Sequence, residues 1–185
     1  MVSVIIPTYN AAKYLEGLLS SLEQQSIGLE VIIIDSSSTD NTGIIAKDHN
    51  VKLISIEQKD FNHGATRNAA TLSAEGDIIV FVTQDALPLD QSCIENLIKP
   101  FEVDSVAAVY SRQIPREDAM PTEKFARLYN YPEESIIKGR DQVEEMGINT
   151  FFFSNVFSAI RRKEFEEIGG FPENVLMFED MLFAA

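Results

Sequence analysis

Three short stretches of this chain are apolar at successive positions rather than at every second one: residues 2–6, broken only by Ser3, residues 31–34 and residues 78–82. A strand with one wet face alternates apolar and polar side chains. A strand that is apolar on both faces must be covered on both, which is the situation of a parallel sheet between layers of helix. The segments between these runs supply the helices. Leu15, Leu18, Leu19 and Leu22 fall at the i, i+3, i+4, i+7 spacing of a helix stripe, and so do Ile94, Leu97, Ile98 and Phe101. Asn10 is positioned to cap the first of these helices and Asp90 the second. Further strands are expected over 51–56, 106–110 and 151–160. Further helices are expected through Ile44 and Ile45, over 64–74 and over 161–168, the last ended by Gly169-Gly170. Alternation of this kind predicts an α/β fold with a mostly parallel central sheet flanked by helices. Residues 113–149, with Pro115, Pro121 and Pro132 and many charges, read as an excursion of loops and some helix.

Composition removes several classes of function. The 185 residues carry 15 basic and 29 acidic side chains, a formal charge of −14. That balance argues against nucleic acid as a partner and against direct adsorption to an anionic lipid surface. One cysteine, Cys93, excludes an intrachain disulfide and Cys-rich metal sites, and points to a reducing compartment. Two histidines, His49 and His63, exclude a three-His site. No apolar run approaches the ~20 residues of a membrane helix, and residues 1–7 lack the pattern of a signal peptide. The last residues, Phe183-Ala184-Ala185, fall inside what reads as a new helix, so the expectation is a single domain over 1–185 that is truncated at the C-terminus.

Open parallel sheets place ligands at the carboxyl ends of their strands. The residues to weigh there are Pro7, Thr8 and Tyr9 after the first strand and Asp35 to Asp40 after the second. Phe61 to Gly64 follow the third, Thr83, Gln84 and Asp85 the fourth, and Glu179-Asp180 comes late in the chain. No Gly-x-Gly-x-x-Gly, no Walker loop and no Gly-x-Ser-x-Gly elbow occurs, so the usual dinucleotide, triphosphate and hydrolase devices are missing. A carboxylate rim without a histidine cluster favours a hard cation, Mg2+ or Mn2+, that bridges to substrate phosphates. Such a cation would also let an acidic protein accept a diphosphate. Each residue has an ordinary alternative. Asp35 could open a turn, Asp40 and Asp90 could cap helices, and Arg67 could form a surface ion pair. His63 could bond a backbone carbonyl, Glu179-Asp180 could favour a helix dipole, and Phe151 to Phe153 could be core.

Taken in order, these segments resemble family 2 glycosyltransferases. Val4-Ile5-Ile6-Pro7-Thr8-Tyr9-Asn10 is similar to that family's first strand and loop. The run from Val31 to Asp40 resembles its Asp-x-Ser-x-Asp loop, and Gly64-Ala65-Thr66-Arg67-Asn68 its Gly-x-x-x-Arg-Asn helix. Thr83-Gln84-Asp85-Ala86 stands in the place of Asp-x-Asp. Ser154 to Arg162, Gly169-Gly170-Phe171 and Phe178-Glu179-Asp180 complete the order. Phe61-Asn62-His63-Gly64 and Thr83-Gln84-Asp85-Ala86 are similar to a rhamnosyltransferase branch.

The resemblance implies a GT-A fold and inverting transfer of a sugar from a nucleotide-sugar donor, dTDP-L-rhamnose by its branch, to a glycan or lipid-linked saccharide acceptor. It implies Asp180 as general base with Glu179 orienting it, and Asp85 as ligand of Mg2+ or Mn2+ on the diphosphate. Donor contacts are implied for Pro7, Thr8, Tyr9, Asp35, Ser37, His63, Gly64, Arg67 and Gln84. It further implies a cytoplasmic enzyme, with peripheral association at the inner face of the membrane through parts absent here. Thr83 departs from the family's first Asp, and Ser36 and Ser37 from its commonest turn. Two other readings stand beside this one: a nucleotide-sugar binding domain of little activity, and a sugar-phosphate nucleotidyltransferase. The second would need a Gly-rich basic first loop, where this chain has Thr8-Tyr9-Asn10-Ala11-Ala12.

Overall fold

The first apolar run becomes β1 (Val2–Thr8), which lies at the middle of a six-stranded sheet ordered β3-β2-β1-β4-β6-β5. The computed structural model describes residues 1–185. β1 is followed by α1 (Ala12–Glu23), β2 (Leu29–Asp35), α2 (Thr42–Asp48), β3 (Lys52–Ser55), α3 (His63–Thr71), β4 (Ile78–Val82), α4 (Cys93–Ile98) and β5 (Ala108–Tyr110). Next come α5 (Pro121–Asn130) and α6 (Val143–Met146), then β6 (Phe157–Arg161), α7 (Arg162–Ile168) and α8 (Glu179–Phe183). The chain forms two compact units, Met1–Tyr110 with Phe151–Ala185, and Ser111–Thr150.

In the first unit β1 pairs in parallel with β2 and β4, and β2 with β3, as double-sided apolar runs require. The two faces of β1 serve two cores. Val4 and Ile6 pack with Leu15, Leu18, Leu19 and Leu22 of α1, and Ile5 packs with Ile32, Phe81, Phe165 and Phe171 on the other side. Each such side chain contributes roughly 1.5–3 kcal/mol when fully buried, so the sheet is held mainly by its two covered faces.

Three local expectations are corrected. The strand expected over 151–160 is confined to β6, which runs antiparallel to both β4 and β5. Phe151 ends a 3-10 turn, and Phe153 enters the core with Tyr110 at 5.7 Å between ring centroids. Asn10 does not cap α1. It takes a left-handed conformation and its Oδ1 accepts from the Thr39 amide, while Asp40 Oδ2 accepts from the Ala12 amide at 3.0 Å. Asp90 lies short of α4, where its Oδ1 accepts from the amide and hydroxyl of Ser92.

α3 is docked by polar residues at its start. Asn62 caps it, Oδ1 accepting from the amides of Gly64 and Ala65, while Nδ2 donates to the carbonyls of Glu173 and Val175. One turn on, Asn68 pairs with both main-chain groups of Phe171, each at 2.9 Å. The Phe171 ring then meets Phe81, Phe165 and Phe183 at centroid distances of 5.1, 5.1 and 5.0 Å. Gly169 and Gly170 make this approach possible, with φ of 93° and 80°. In the second unit, Pro121 opens α5 at its first turn, and Phe125 stacks on Tyr129 at 6.0 Å. No helix of the structure is long and apolar enough to cross a membrane.

Two outcomes follow for stability. A β-carbon at Gly64 would fall inside van der Waals contact with the Pro172 carbonyl oxygen. Gly64→Ala should therefore destabilise by about 1–3 kcal/mol in urea unfolding, although Gly→Ala in an open helix stabilises by about 1 kcal/mol; a gain would contradict the docking. His49 lies between α1 carboxylates, Nδ1 2.7 Å from Glu23 and Nε2 3.4 Å from Glu16. The hydrogen bond to Glu23 raises its pKa above the usual 6.5 despite desolvation, with help from Glu16. A raised folded-state pKa gives stability that is full below about pH 6.5 and is lost as pH rises through the folded value. The stability difference between wild type and His49→Gln should thus shrink from pH 6 to pH 9, and a constant difference would contradict the pairing.

Candidate active site

The sheet changes direction of winding between β1 and β4, and ligands of open α/β sheets sit in the crevice at such a point. β2 ends at Asp35, directly beside Thr8 at the end of β1. The Asp35 carboxylate accepts from the Thr8 hydroxyl at 2.8 Å, from the Ser38 amide at 2.9 Å and from the Ser38 hydroxyl. Asp35 is buried, so this carboxylate is held rigid by donors rather than merely opening a turn. Ser37 completes the loop with a φ of 59° and donates from Oγ to the Ile56 carbonyl. Asp40 behaves as the ordinary alternative has it. It braces the starts of α1 and α2, and the Thr42 and Ala12 donors hold its pKa below the usual value against desolvation.

Across the crevice, Gln84 mimics a peptide group. Its Oε1 accepts from the Tyr9 amide at 2.8 Å and its Nε2 donates to the Tyr9 carbonyl at 3.3 Å. Pro7 is the half-buried residue before Thr8, and the Tyr9 ring is exposed. The Ala86 amide donates to the Thr83 carbonyl, a tight turn with Gln84 and Asp85 at its middle, and Asp85 is exposed. Thr83 Oγ1 beneath it is buried with no hydrogen-bond partner. No group of three or more acidic, histidine or cysteine side chains is close enough to cage a metal. One exposed carboxylate, Asp85, fits a hard cation that keeps water and substrate phosphate as its other ligands. It does not fit a cation caged by protein.

The third part of the rim is a buried polar cluster. Arg67 on α3 is 4% exposed, and its Nη1 donates to the His63 carbonyl at 2.8 Å and approaches Glu179 Oε1 at 3.4 Å. The surface ion pair weighed for Arg67 is thus a buried one. Desolvation lowers the pKa of this guanidinium, opposed by the charges of Glu179 and Asp180. His63 itself is exposed and its ring meets Phe61 edge-on at 4.9 Å, while Gly64 is buried under Pro172. α8 begins at Glu179, after Phe178 turns the chain with a φ of 69°. That is a conformation rare for a bulky residue, of the kind found at functional sites. Asp180 Oδ2 accepts from the Asn155 amide at 3.1 Å and Oδ1 from the Met181 amide at 2.9 Å. Burial pushes its pKa above the usual carboxylate value; the two amides oppose that shift and the Glu179 charge adds to it.

Hydrogen bonds join these parts along one rim. Asp35 meets Thr8, the next residue Tyr9 meets Gln84, the Thr83 amide donates to the Val156 carbonyl at 3.0 Å, and Asn155 meets Asp180. Asp35, the Gln84-Asp85 turn and Asp180 therefore stand at the same end of the sheet. Asp77, Arg161 and Arg162 line a shallow depression at the opposite end, where both arginines are spent on backbone carbonyls. Residues that the sequence offered only within longer segments, with no role of their own, also belong to the rim: Ser38, Asn155 and Ser158.

Comparisons with known proteins agree with this geometry. The O-antigen chain rhamnosyltransferase RfbN of Salmonella typhimurium is 44% identical over 187 residues, covering 100% of this chain and 60% of the relative. The chain thus spans about 60% of that relative's length. Among solved structures, the mannosyltransferase PcManGT from Pyrobaculum calidifontis, in complex with GDP-Man and Mn2+, superposes with a TM-score of 0.72 at 27% identity over 98% of this chain and 50% of that one. TarS 1-349 of S. aureus in complex with UDP-GlcNAc gives 0.73 at 25% identity, over 99% and 52%. Both carry the GT-A arrangement of sheet and helices seen here. The sequence model described as glycosyl transferase family 2 matches residues 3–169, and this chain belongs to that family.

Proposed function

We propose that this chain is the catalytic domain of an inverting rhamnosyltransferase, acting on dTDP-L-rhamnose and a hydroxyl of a glycan or lipid-linked saccharide. The observation that carries the reaction type is Asp180: a carboxylate at the rim, half-buried, raised in pKa, and fixed by two main-chain amides. A base works best with a pKa drawn toward the operating pH. The 44% identity to a protein named as a rhamnosyltransferase supports the choice of sugar. The Asn10 turn, closed by Thr39 and Ser38 rather than by glycines and lysines, gives the nucleotidyltransferase reading no support.

In this reading the nucleoside lies against Thr8, Tyr9, Asp35 and Ser37, with His63, Gly64, Arg67 and Gln84 shaping the same side. Asp85 would hold a divalent cation, Mg2+ or Mn2+, which when bound neutralises charge on the diphosphate. The acceptor hydroxyl gives its proton to Asp180 as its oxygen attacks the anomeric carbon. The new C–O bond forms on the face opposite the phosphate oxygen, the old C–O bond breaks, and dTDP departs with the electron pair. Glu179, tied to Arg67 and Asn155, orients Asp180 by fixing the start of α8. A lipid-linked acceptor would bring the enzyme to the cytoplasmic face of a membrane.

In the full-length protein Asp180→Asn should lower transfer by about 10²–10⁴-fold with donor affinity unchanged, measured by product formation and by donor titration. Retained transfer would remove Asp180 as the base. The acid limb of the wild-type rate should lie above the ordinary aspartate range, since the rate rises with pH as Asp180 ionises. A limb at or below the usual 3.8 would contradict the raised pKa. In a thermal-shift panel with Mn2+, dTDP-rhamnose at 100 times its Kd should add about 2.7 kcal/mol of stability. A shift with a UDP-sugar and none with dTDP-rhamnose would overturn the donor.

A further inference from the structure

We propose that Asn155, oriented by Ser158, is a positioning residue that clamps Glu179 and Asp180 to the sheet from the start of β6. The inference rests on the reading of Asp180 as general base, and it assigns a role to residues outside the donor contacts and the base itself. Asn155 is 2% exposed, and its main-chain amide and both side-chain polar atoms are hydrogen-bonded. Its main-chain amide donates to Asp180 Oδ2 at 3.1 Å, and its Nδ2 donates to Glu179 Oε1 at 3.3 Å. Its Oδ1 accepts from the Ser158 hydroxyl at 3.2 Å.

The Ser158 bond matters because an amide side chain has two ends of opposite character. With the hydroxyl donating to Oδ1, Nδ2 is left facing the Glu179 carboxylate. Ser158 is itself fully buried in β6, opposite Phe81 of β4 and Tyr110 of β5. The clamp is therefore anchored in a buried, paired strand of the sheet, while α8 is one turn long and is entered through the left-handed Phe178. Glu179 Oε1 thus receives Arg67 from α3 and Asn155 from the β6 side, which fixes the helix start from two directions. The charged groups facing Asp180 are Glu179 on its own helix and Arg67 on α3. Removing the Asn155 side chain leaves its main-chain amide on Asp180 but releases Glu179 on the β6 side, so the start of α8 can shift and carry Asp180 out of line with the acceptor and into a different balance of these two charges.

The test is a kinetic cycle on the full-length protein. Asn155→Ala should lower kcat about 10- to 100-fold, by analogy with the loss on removing a partner that orients a metal ligand, with the donor KM changed less than about twofold. In an Asp180→Asn background the same substitution should change the rate less than about twofold, because the group it positions is already gone. An equal loss in both backgrounds, or an unchanged kcat in Asn155→Ala, overturns the positioning role. Transfer at the wild-type rate by Asp180→Asn instead removes the base, and this inference with it. Should Asn155→Ala fail to fold, the near-isosteric Asn155→Asp and the smaller Ser158→Ala carry the test. Asn155→Asp sets a carboxylate against Glu179, so the Asp180 carboxyl, followed by NMR titration, should ionise at higher pH and the acid limb of kcat should move up with it. Ser158→Ala should lower kcat in the same sense as Asn155→Ala and to a smaller extent. An unmoved Asp180 titration in Asn155→Asp, or wild-type kcat in Ser158→Ala, overturns the proposal.

Discussion

Parallel pairing of β1 with both β2 and β4 is the constraint on which the rest depends. It brings Thr8 level with Asp35 on one side, and on the other pairs Ile5 with Phe81 so that the loop leaving β4 carries Gln84 to Tyr9. Parallel strands carry their carboxyl ends to one rim, so loops far apart in the chain become neighbours without any direct covalent path. The apolar character of these strands on both faces is what enforces the arrangement. A half-polar strand in the β1 position could not be covered by α1 and α3 at once. The antiparallel β6 adds the last component, because its start, not its end, faces the same rim and delivers Asn155 beside α8.

The rim is expensive in stability and specific in geometry. Arg67 and Glu179 are both nearly excluded from water, and burying an ion pair in this way often gains little or nothing over apolar packing. Arg67 Nε is left with no hydrogen-bond partner, and so is Thr83 Oγ1. Such groups cost free energy that an apolar cluster would not. The adjoining aromatic cluster of Phe81, Phe165, Phe171 and Phe183 offsets that cost and packs α8 against β4 and α7, while Asn68 ties α3 to Phe171. The outcome is a carboxylate, Asp180, held half in and half out of water at a defined place, and the proposed proton abstraction from a hydroxyl requires such a group.

The elements whose signal lies in side-chain pattern were legible in the sequence. The α1 stripe of leucines, the double-sided strands and the Gly169 helix end are found where the pattern placed them. The order of motifs along the chain was enough to assign the family. Elements governed by tertiary contact were not legible. Asn10 looks like a helix cap by type, yet Asp40 takes that task from 28 residues away. Residues 151–160 read as strand because they are aromatic and β-branched, yet Phe153 turns into the core against Tyr110 and only β6 pairs. Arg67 was visible as a candidate, but not its burial against Glu179, since nothing local links positions 112 apart. Asn155 and Ser158 lie in the segment from Ser154 to Arg162 that resembles the family, yet nothing local shows that Asn155 reaches Glu179 and Asp180 with Ser158 behind it.

The most direct measurement is a crystal structure of the full-length Asp180→Asn protein with dTDP-rhamnose and Mn2+. The nucleoside should lie against Thr8 and Asp35, the cation should sit between Asp85 and the diphosphate, and the anomeric carbon should face the side chain at position 180. Nucleotide bound away from this rim, for instance in the depression beside Arg161 and Arg162, would contradict the convergence of these acidic residues on one reaction.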